Sequence, residues 1–304
     1  MACAQGAMGR LYVEPGSAPH TFDGSSETYE FLYESLQRRS RIVGGQGIRG
    51  TREESQESTR FGAYTVGGRI AMHVNPLALD LWLPRILGAN ESTDTFALAE
   101  SLPSFGVLVD RVTQTFQYTD CVVNRALFRA QAGPSDGDPE LVEMVLEIIG
   151  KTEVEDTAAP NVSIATTATS TQNYVLADGV FTFAAAAREV KQFTIMIDNH
   201  IQPRWVNSLT ATALCPSRRT IAVQAVLPFD SDTDDLYAQA RAGSAGSVAF
   251  TNGSVSTTFT FGTLQVPAES PIIRGKQEID LILNMIARKT GSTASLTVTN
   301  DSTV

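Results

Sequence analysis

The residues with chemistry to offer are the histidines, the cysteines and a few clustered carboxylates. His20, His73 and His200 are the only histidines. His200 lies two positions after Asp198, and His73 stands on the polar phase of an alternating stretch. A metal site or catalytic dyad needs a third partner at fixed spacing, and no H-x-x-E, H-E-x-x-H or G-x-S-x-G is present. The histidines are therefore read as structural or surface residues. Cys3, Cys121 and Cys215 are odd in number and have no metal-like spacing. They are expected to be free thiols, with Cys121 and Cys215 as small apolar packing residues, which fits a reducing compartment. Asp230, Asp232, Asp234 and Asp235 lack the glycine and closing glutamate of a calcium loop. They suit the positive end of a following helix, with Asp230 or Ser231 as its cap. Gly45 to Gly50, GQGIRG, matches G-x-G-x-x-G, but the following TREESQESTR offers no apolar helix face. A strand running into a loop is the better account. No catalytic, cofactor or metal residue is assigned.

The elements that position these residues read as a pattern written twice. In GGRIAMHVNPLALDLWLPRILG (67–88), Ile70, Met72 and Val74 alternate with Arg69, Ala71 and His73. This is the period of a half-buried strand. Pro76 closes it, and Leu77, Asp80, Leu81, Pro84 and Leu87 keep helical spacing up to Gly88, with Pro84 expected to kink or shorten the helix. RRTIAVQAVLPFDSDTDDLYAQARAG (218–243) repeats the layout of strand, proline, acidic helix start and closing glycine. Downstream, 114–129 and 264–279 both read as strand, turn and strand, each followed by an apolar run. Matched points lie roughly 150 residues apart, about one domain length.

These marks predict a mainly β chain with short helices. Residues 1–27 read as an extended N-terminal arm, 28–153 as a first domain, 154–173 as a Thr/Ala/Ser-rich linker and 174–304 as a second domain. Residues 28–39 favour a short helix. Phe193–Ile201 is a strand, 244–265 a hairpin, and the tail from Thr290 a last strand.

The most polar stretch is Arg49 to Arg60, with Arg49, Arg52 and Arg60 set against Glu53, Glu54 and Glu57. Between two strands it is either a solvated hairpin tip or an interaction arm, and mixed charge suits contact with a copy of itself. Residues 203–217, including Trp205, hold the matching place in the second half. Trp82 and Trp205 read as core residues or interface anchors.

The chain has 304 residues, 33 acidic against 23 basic, a formal net charge of −10 and a hydrophobic share of 42%. This supports packed cores and argues against a protein that grips nucleic acid through phosphates. A net negative wall would instead repel DNA sliding past it. No charged start with an apolar core marks a signal peptide, and no apolar run approaches the ~20 residues of a membrane span.

With the polar loop 49–60, the stretch YTVGGRIAMHVNPLALDLWLPRILGA (64–89), FTIMIDNHI (193–201) and PSRRTIAVQAVLPFDSDTDDLYAQARAG (216–243), the chain resembles the tail tube proteins of long-tailed, siphovirus-like bacteriophages. It resembles the class with two tube domains in one chain. The resemblance runs from about Tyr29 to about Lys289. It implies two β-sandwich or barrel-like domains, each flanked by a helix, in rings that stack into a hollow tube for DNA ejection. The rings would be trimers if the chain is duplicated and hexamers otherwise. The loop 49–60 would contact the adjacent ring. The resemblance further implies a structural virion protein rather than an enzyme, with no cofactor. It would be made in the host cytoplasm and partnered by itself and by tape-measure, terminator and baseplate proteins. DNA would pass the lumen without specific binding, and no membrane would be involved. Another β-rich virion component, such as a decoration or baseplate ring protein, and a carbohydrate-active β-rich enzyme are the alternatives.

Overall fold

A computed structural model describes residues 5–22, 26–28, 30–45, 47, 50–53, 56–131, 141–156, 172–229, 235–266, 273 and 278–302. In the first half these form β1 (Arg10–Pro15), β2 (Glu27–Thr28), β3 (Tyr33–Glu34), β4 (Gln37–Gly44) and β5 (Thr59–His73). Helix α1 (Pro76–Leu87) follows, then β6 (Thr95–Ala97), β7 (Phe105–Asp110), β8 (Thr115–Gln131), β9 (Glu143–Gly150) and β10 (Thr152–Asp156). The second half contains β11 (Gly179–Phe183), β12 (Ala186–Arg188), β13 (Gln192–Asp198), β14 (Gln202–Arg204), β15 (Ala213–Cys215) and β16 (Thr220–Pro228). It closes with α2 (Leu236–Ala242), β17 (Ser244–Asn252), β18 (Val255–Gln265), β19 (Asp280–Arg288) and β20 (Leu296–Asp301).

Strand pairing gives both halves one wiring. The first runs β4–β5–β9–β8–β7–β1–β2, with β10 continuing β9 along β8. The second runs β13–β16–β19–β18–β17–β11–β12, with β20 in the place of β10. Every pairing is antiparallel, and a helix follows the second strand of each series. The halves are also joined edge to edge. The last seven residues of β8, Arg125–Gln131, pair with β13, so β5–β9–β8–β13–β16–β19 is one sheet across both halves.

The period-two signal places the core on one face of this sheet. In β16, Ile221, Val223, Ala225 and Leu227 are buried, while Ala222, Gln224 and Val226 are half-buried. Helix α1 is set by its ends. Asn75 Oδ1 accepts from Ala78 N at 2.8 Å, Pro76 costs no hydrogen bond in the first turn, and Gly88 takes φ 100° where a side chain would be strained. Pro84 lies inside this helix without ending it. The helix packs on β8, β6 and the second half's β20, and one hydrophobic core spans both halves. Phe128 of β8 meets Phe259 of β18 across it at 5.1 Å between ring centroids.

Three sequence expectations are corrected. Residues 10–15 are not a free arm: Leu11, Tyr12 and Val13 are fully buried, because this apolar run pairs with β7. The helix expected over 28–39 is replaced by β2, β3 and the start of β4, since Tyr33 and Glu34 pair with β5 rather than closing a helical turn. The stretch 114–129 is one bent strand, not a hairpin, with a register shift between Val123 and Arg125. Of the expected linker, 154–156 belong to β10, 157–171 lie outside the described residues, and Tyr174 beyond it is a fully buried core residue. The caps expected at Asp230 and Ser231 also lie outside them; α2 starts after Asp235.

Candidate assembly surfaces

The hairpin β4–β5 stands away from the core. All eight residues of β4 are exposed, as are Arg60, Phe61 and Thr65 among those facing them in β5. Of the loop residues singled out from sequence, Arg52, Glu53, Glu57 and Arg60 are exposed on this arm, Arg60 already within β5. Arg49 and Glu54 lie outside the described residues. Apolar residues that the sequence did not single out share the shaft: Ile42, Val43 and Phe61 are 63%, 56% and 64% exposed. Bare side chains of this size, side by side on a two-stranded ribbon, are a partner's signature more than a solvated turn's. At the root, Arg38 stacks over Tyr64 at 3.9 Å and its backbone N–H donates to Glu153 Oε2 at 3.0 Å.

The second half has a shorter hairpin at the matching place, β14–β15. Its tip carries Trp205, Val206 and Leu209, all exposed. Tyr64 N donates to Leu209 O at 3.0 Å, so the two hairpins meet. A cleft of about 520 Å³ lies under this meeting, lined by Arg39, Gly67, Gly68, Arg69, Glu147 and Pro203 among others. The tryptophans thus divide. Trp205 is on the protruding tip. Trp82 is corrected to a core residue, 0% exposed and edge-on to Phe105 at 5.8 Å, because α1 turns that face inward; it has no surface to offer a neighbour.

The joint between the halves is hydrogen-bonded as well as paired. Asn199, 1% exposed, donates from Nδ2 to the carbonyls of Ile86 and Val123, each at 3.1 Å. Arg219 donates from Nε to Asn199 Oδ1 at 2.8 Å and from Nη2 to Ala99 O at 2.7 Å. Burial holds the Arg219 pKa below its ordinary value, an influence of Glu100 opposing this. A second tie links α1 to β20: Asn300 Nδ2 donates to Asp80 Oδ1 at 2.5 Å and to Pro76 O at 2.9 Å. Burial raises the Asp80 pKa, opposed by its bonds from Ser302 and Asn300.

The face of the six-stranded sheet turned from the core carries ordered rows. One row runs Arg69, Glu147, Arg125, Asp198 and Thr220 in register. The next is apolar: Val145, Leu127, Met196, Ala222 and Ile286. A third runs His73, Glu143, Arg129, Thr194, Gln224 and Asn284. Arg125 bonds Asp198 Oδ2 from Nε at 2.9 Å and Nη2 at 2.7 Å, which raises its pKa. His200 follows in a left-handed turn (φ 47°), with its N–H on Asp198 Oδ1 at 2.9 Å. The pairing seen in sequence between Asp198 and His200 is therefore a turn beside an ion pair.

Cys121 is buried and burial raises its thiol pKa well above the usual value, so it is an inert packing residue. Cys215 is half-buried and free. Among the described residues no three of His, Cys, Asp or Glu are placed to hold a metal ion, and no helix is long and apolar enough to cross a membrane.

A family model described as phage tail tube protein matches residues 15–299. A search of curated proteins found no match.

Proposed function

The chain belongs to the phage tail tube protein family, and on that premise we propose that it forms rings that stack into the hollow conduit of a phage tail. One observation carries this. Two units of the same strand order are joined inside one chain by pairing β13 against the end of β8. A unit that docks on its own kind edge to edge makes a heterologous contact, and such contacts close into rings when the rotation permits. Closure also removes the exposed strand edges that would otherwise template aggregation. We take the two units as tube-like domains of one duplicated chain, so six units per ring require three copies.

The arm β4–β5, with Arg52, Glu53, Glu57 and Arg60 at its end and Ile42, Val43 and Phe61 on its shaft, is assigned to the adjacent ring, with Trp205 beside it. A buried apolar centre ringed by charge is the usual anatomy of a specific interface. In this reading the protein is a structural part of the virion tail and not a catalyst. Tape-measure, terminator and baseplate proteins are its neighbours, and DNA crosses the lumen. Negative-stain electron microscopy of the purified chain, with the mass per ring from light scattering, tests it. Tubes of three-copy rings support the duplicated unit. Six-copy rings keep the tube and reject the duplication, whereas closed oligomers that never stack reject the tube.

A further inference from the structure

We infer that the off-core face of the six-stranded sheet is kept from binding DNA by setting each of its central arginines opposite a carboxylate on the next strand, rather than by a net negative wall. This rests on the ring reading, in which that face lines the lumen, because α1 and the core occupy the opposite side of the sheet.

The chain as a whole has a formal charge of −10, yet this face is nearly balanced. On its six strands Arg69, Arg125, Arg129 and Arg288 stand with Glu143, Glu147, Asp198 and Asp280. The order matters more than the sum. Arg69 is directly opposite Glu147, and Arg129 is directly opposite Glu143. Arg125 lies between Glu147 and Asp198, 2.7 Å from the Asp198 carboxylate and 3.9 Å from that of Glu147. Asn124 Nδ2 fixes the other oxygen of Glu147 at 2.8 Å. Opposite charges directly across an antiparallel pair attract, and a guanidinium already bonded to a carboxylate has fewer donors for a phosphate.

A passing duplex gains affinity only through the phosphates that basic side chains neutralise. A surface whose arginines are locally neutralised supplies none of that term. Between the two charged rows, the apolar row Val145, Leu127, Met196 and Ala222 offers neither donor nor charge to the backbone of DNA. Glu143 and Glu147 are therefore assigned as neutralising residues, and their removal should turn a slippery face into a sticky one.

The test uses the soluble full-length chain and a linear DNA duplex, read by fluorescence anisotropy. The wild type is expected not to bind. E143Q/E147Q keeps shape and frees Arg69 and Arg129, while Arg125 stays bonded to Asp198, and is expected to bind. With two phosphates engaged, its affinity should fall about 12-fold between about 50 and about 200 mM salt. Adding R69Q/R129Q should abolish the gain, which also shows that it does not come from misfolding. E91Q/E100Q, the same charge change at two exposed glutamates off this face, should not bind. Failure of E143Q/E147Q to bind, or equal binding by E91Q/E100Q or the wild type, overturns the assignment. The ring reading fails separately, by electron microscopy without tubes.

Discussion

Arg219 donates from Nε to Asn199 Oδ1 at 2.8 Å, and through this bond the second half holds the end of the first half's helix. Asn199 passes the link to the carbonyls of Ile86 and Val123, while Arg219 reaches Ala99 O directly. A half-buried guanidinium bonded to neutral oxygens costs desolvation, so its retention points to a geometric use. These bonds tie the turn after β13 to the end of α1 and to β8.

Arg219→Met is expected to lower the unfolding free energy by about 1–3 kcal/mol, since it removes the bonds to the buried Asn199 amide oxygen and to Ala99 O. Urea unfolding gives the magnitude. Hydrogen exchange should quicken at β13 and at the end of α1 more than in β17 and β18; uniform quickening would count against a role at the joint.

The two tryptophans should separate stability from assembly. Trp82→Ala opens the core beneath α1 and should cost about 3–5 kcal/mol. Trp205→Ala, on an exposed tip, should change stability by no more than about 0.5 kcal/mol while weakening ring stacking. Thermal unfolding and electron microscopy of both variants check this.

On the arm, Phe61→Ser and Ile42→Ser remove exposed apolar surface and leave the core untouched. Their unfolding midpoints should match the wild type within about 0.5 kcal/mol, and polymerisation should stop at single rings. Tubes of normal length from the double variant would show that the shaft is not the contact.

Stability should fall in mild acid through His20. Its ring packs on Gly106, where an added Cβ would meet it at 2.5 Å, and Asp120 N points to Nε2 at 3.4 Å. Burial lowers its pKa below 6.5, against smaller raising effects of Asp120 and Glu14. A lowered value means that the unfolded chain takes up the proton first. The stabilisation is whole above about pH 6.5 and is lost as pH falls through the folded value. Urea midpoints across this range should show the slope, and His20→Gln should flatten it.

Much of the local structure was legible in the sequence. The alternation of Ile70, Met72 and Val74, the Asn75-Pro76 entry and the Gly88 exit gave a strand and a capped helix where they occur. The strand expected over Phe193–Ile201 runs Gln192–Asp198 and stops at the turn of His200, and 244–265 forms the expected hairpin. Legibility failed for short or two-sided segments. Leu11, Tyr12 and Val13 are three apolar residues in a row without a period, so nothing marked them as a strand buried on both faces. Tyr33 and Leu36 mimic helical spacing because β3 is only two residues long and Leu36 lies between it and β4.

The sequence by itself determined the class of elements, their rough spacing of one domain length and the family pattern, because periodicity records which face of each element meets water. It could not decide which strand meets which. The pairing of Arg125 with Asp198, of Tyr64 with Leu209 and of Arg219 with Asn199 joins residues far apart in the chain. Such contacts depend on register and sheet order, which no local pattern encodes. The same holds for the exposed Ile42, Val43 and Phe61. Nothing in their local pattern sets them apart from core residues, and only the tertiary structure carries the hairpin beyond the body that would have buried them.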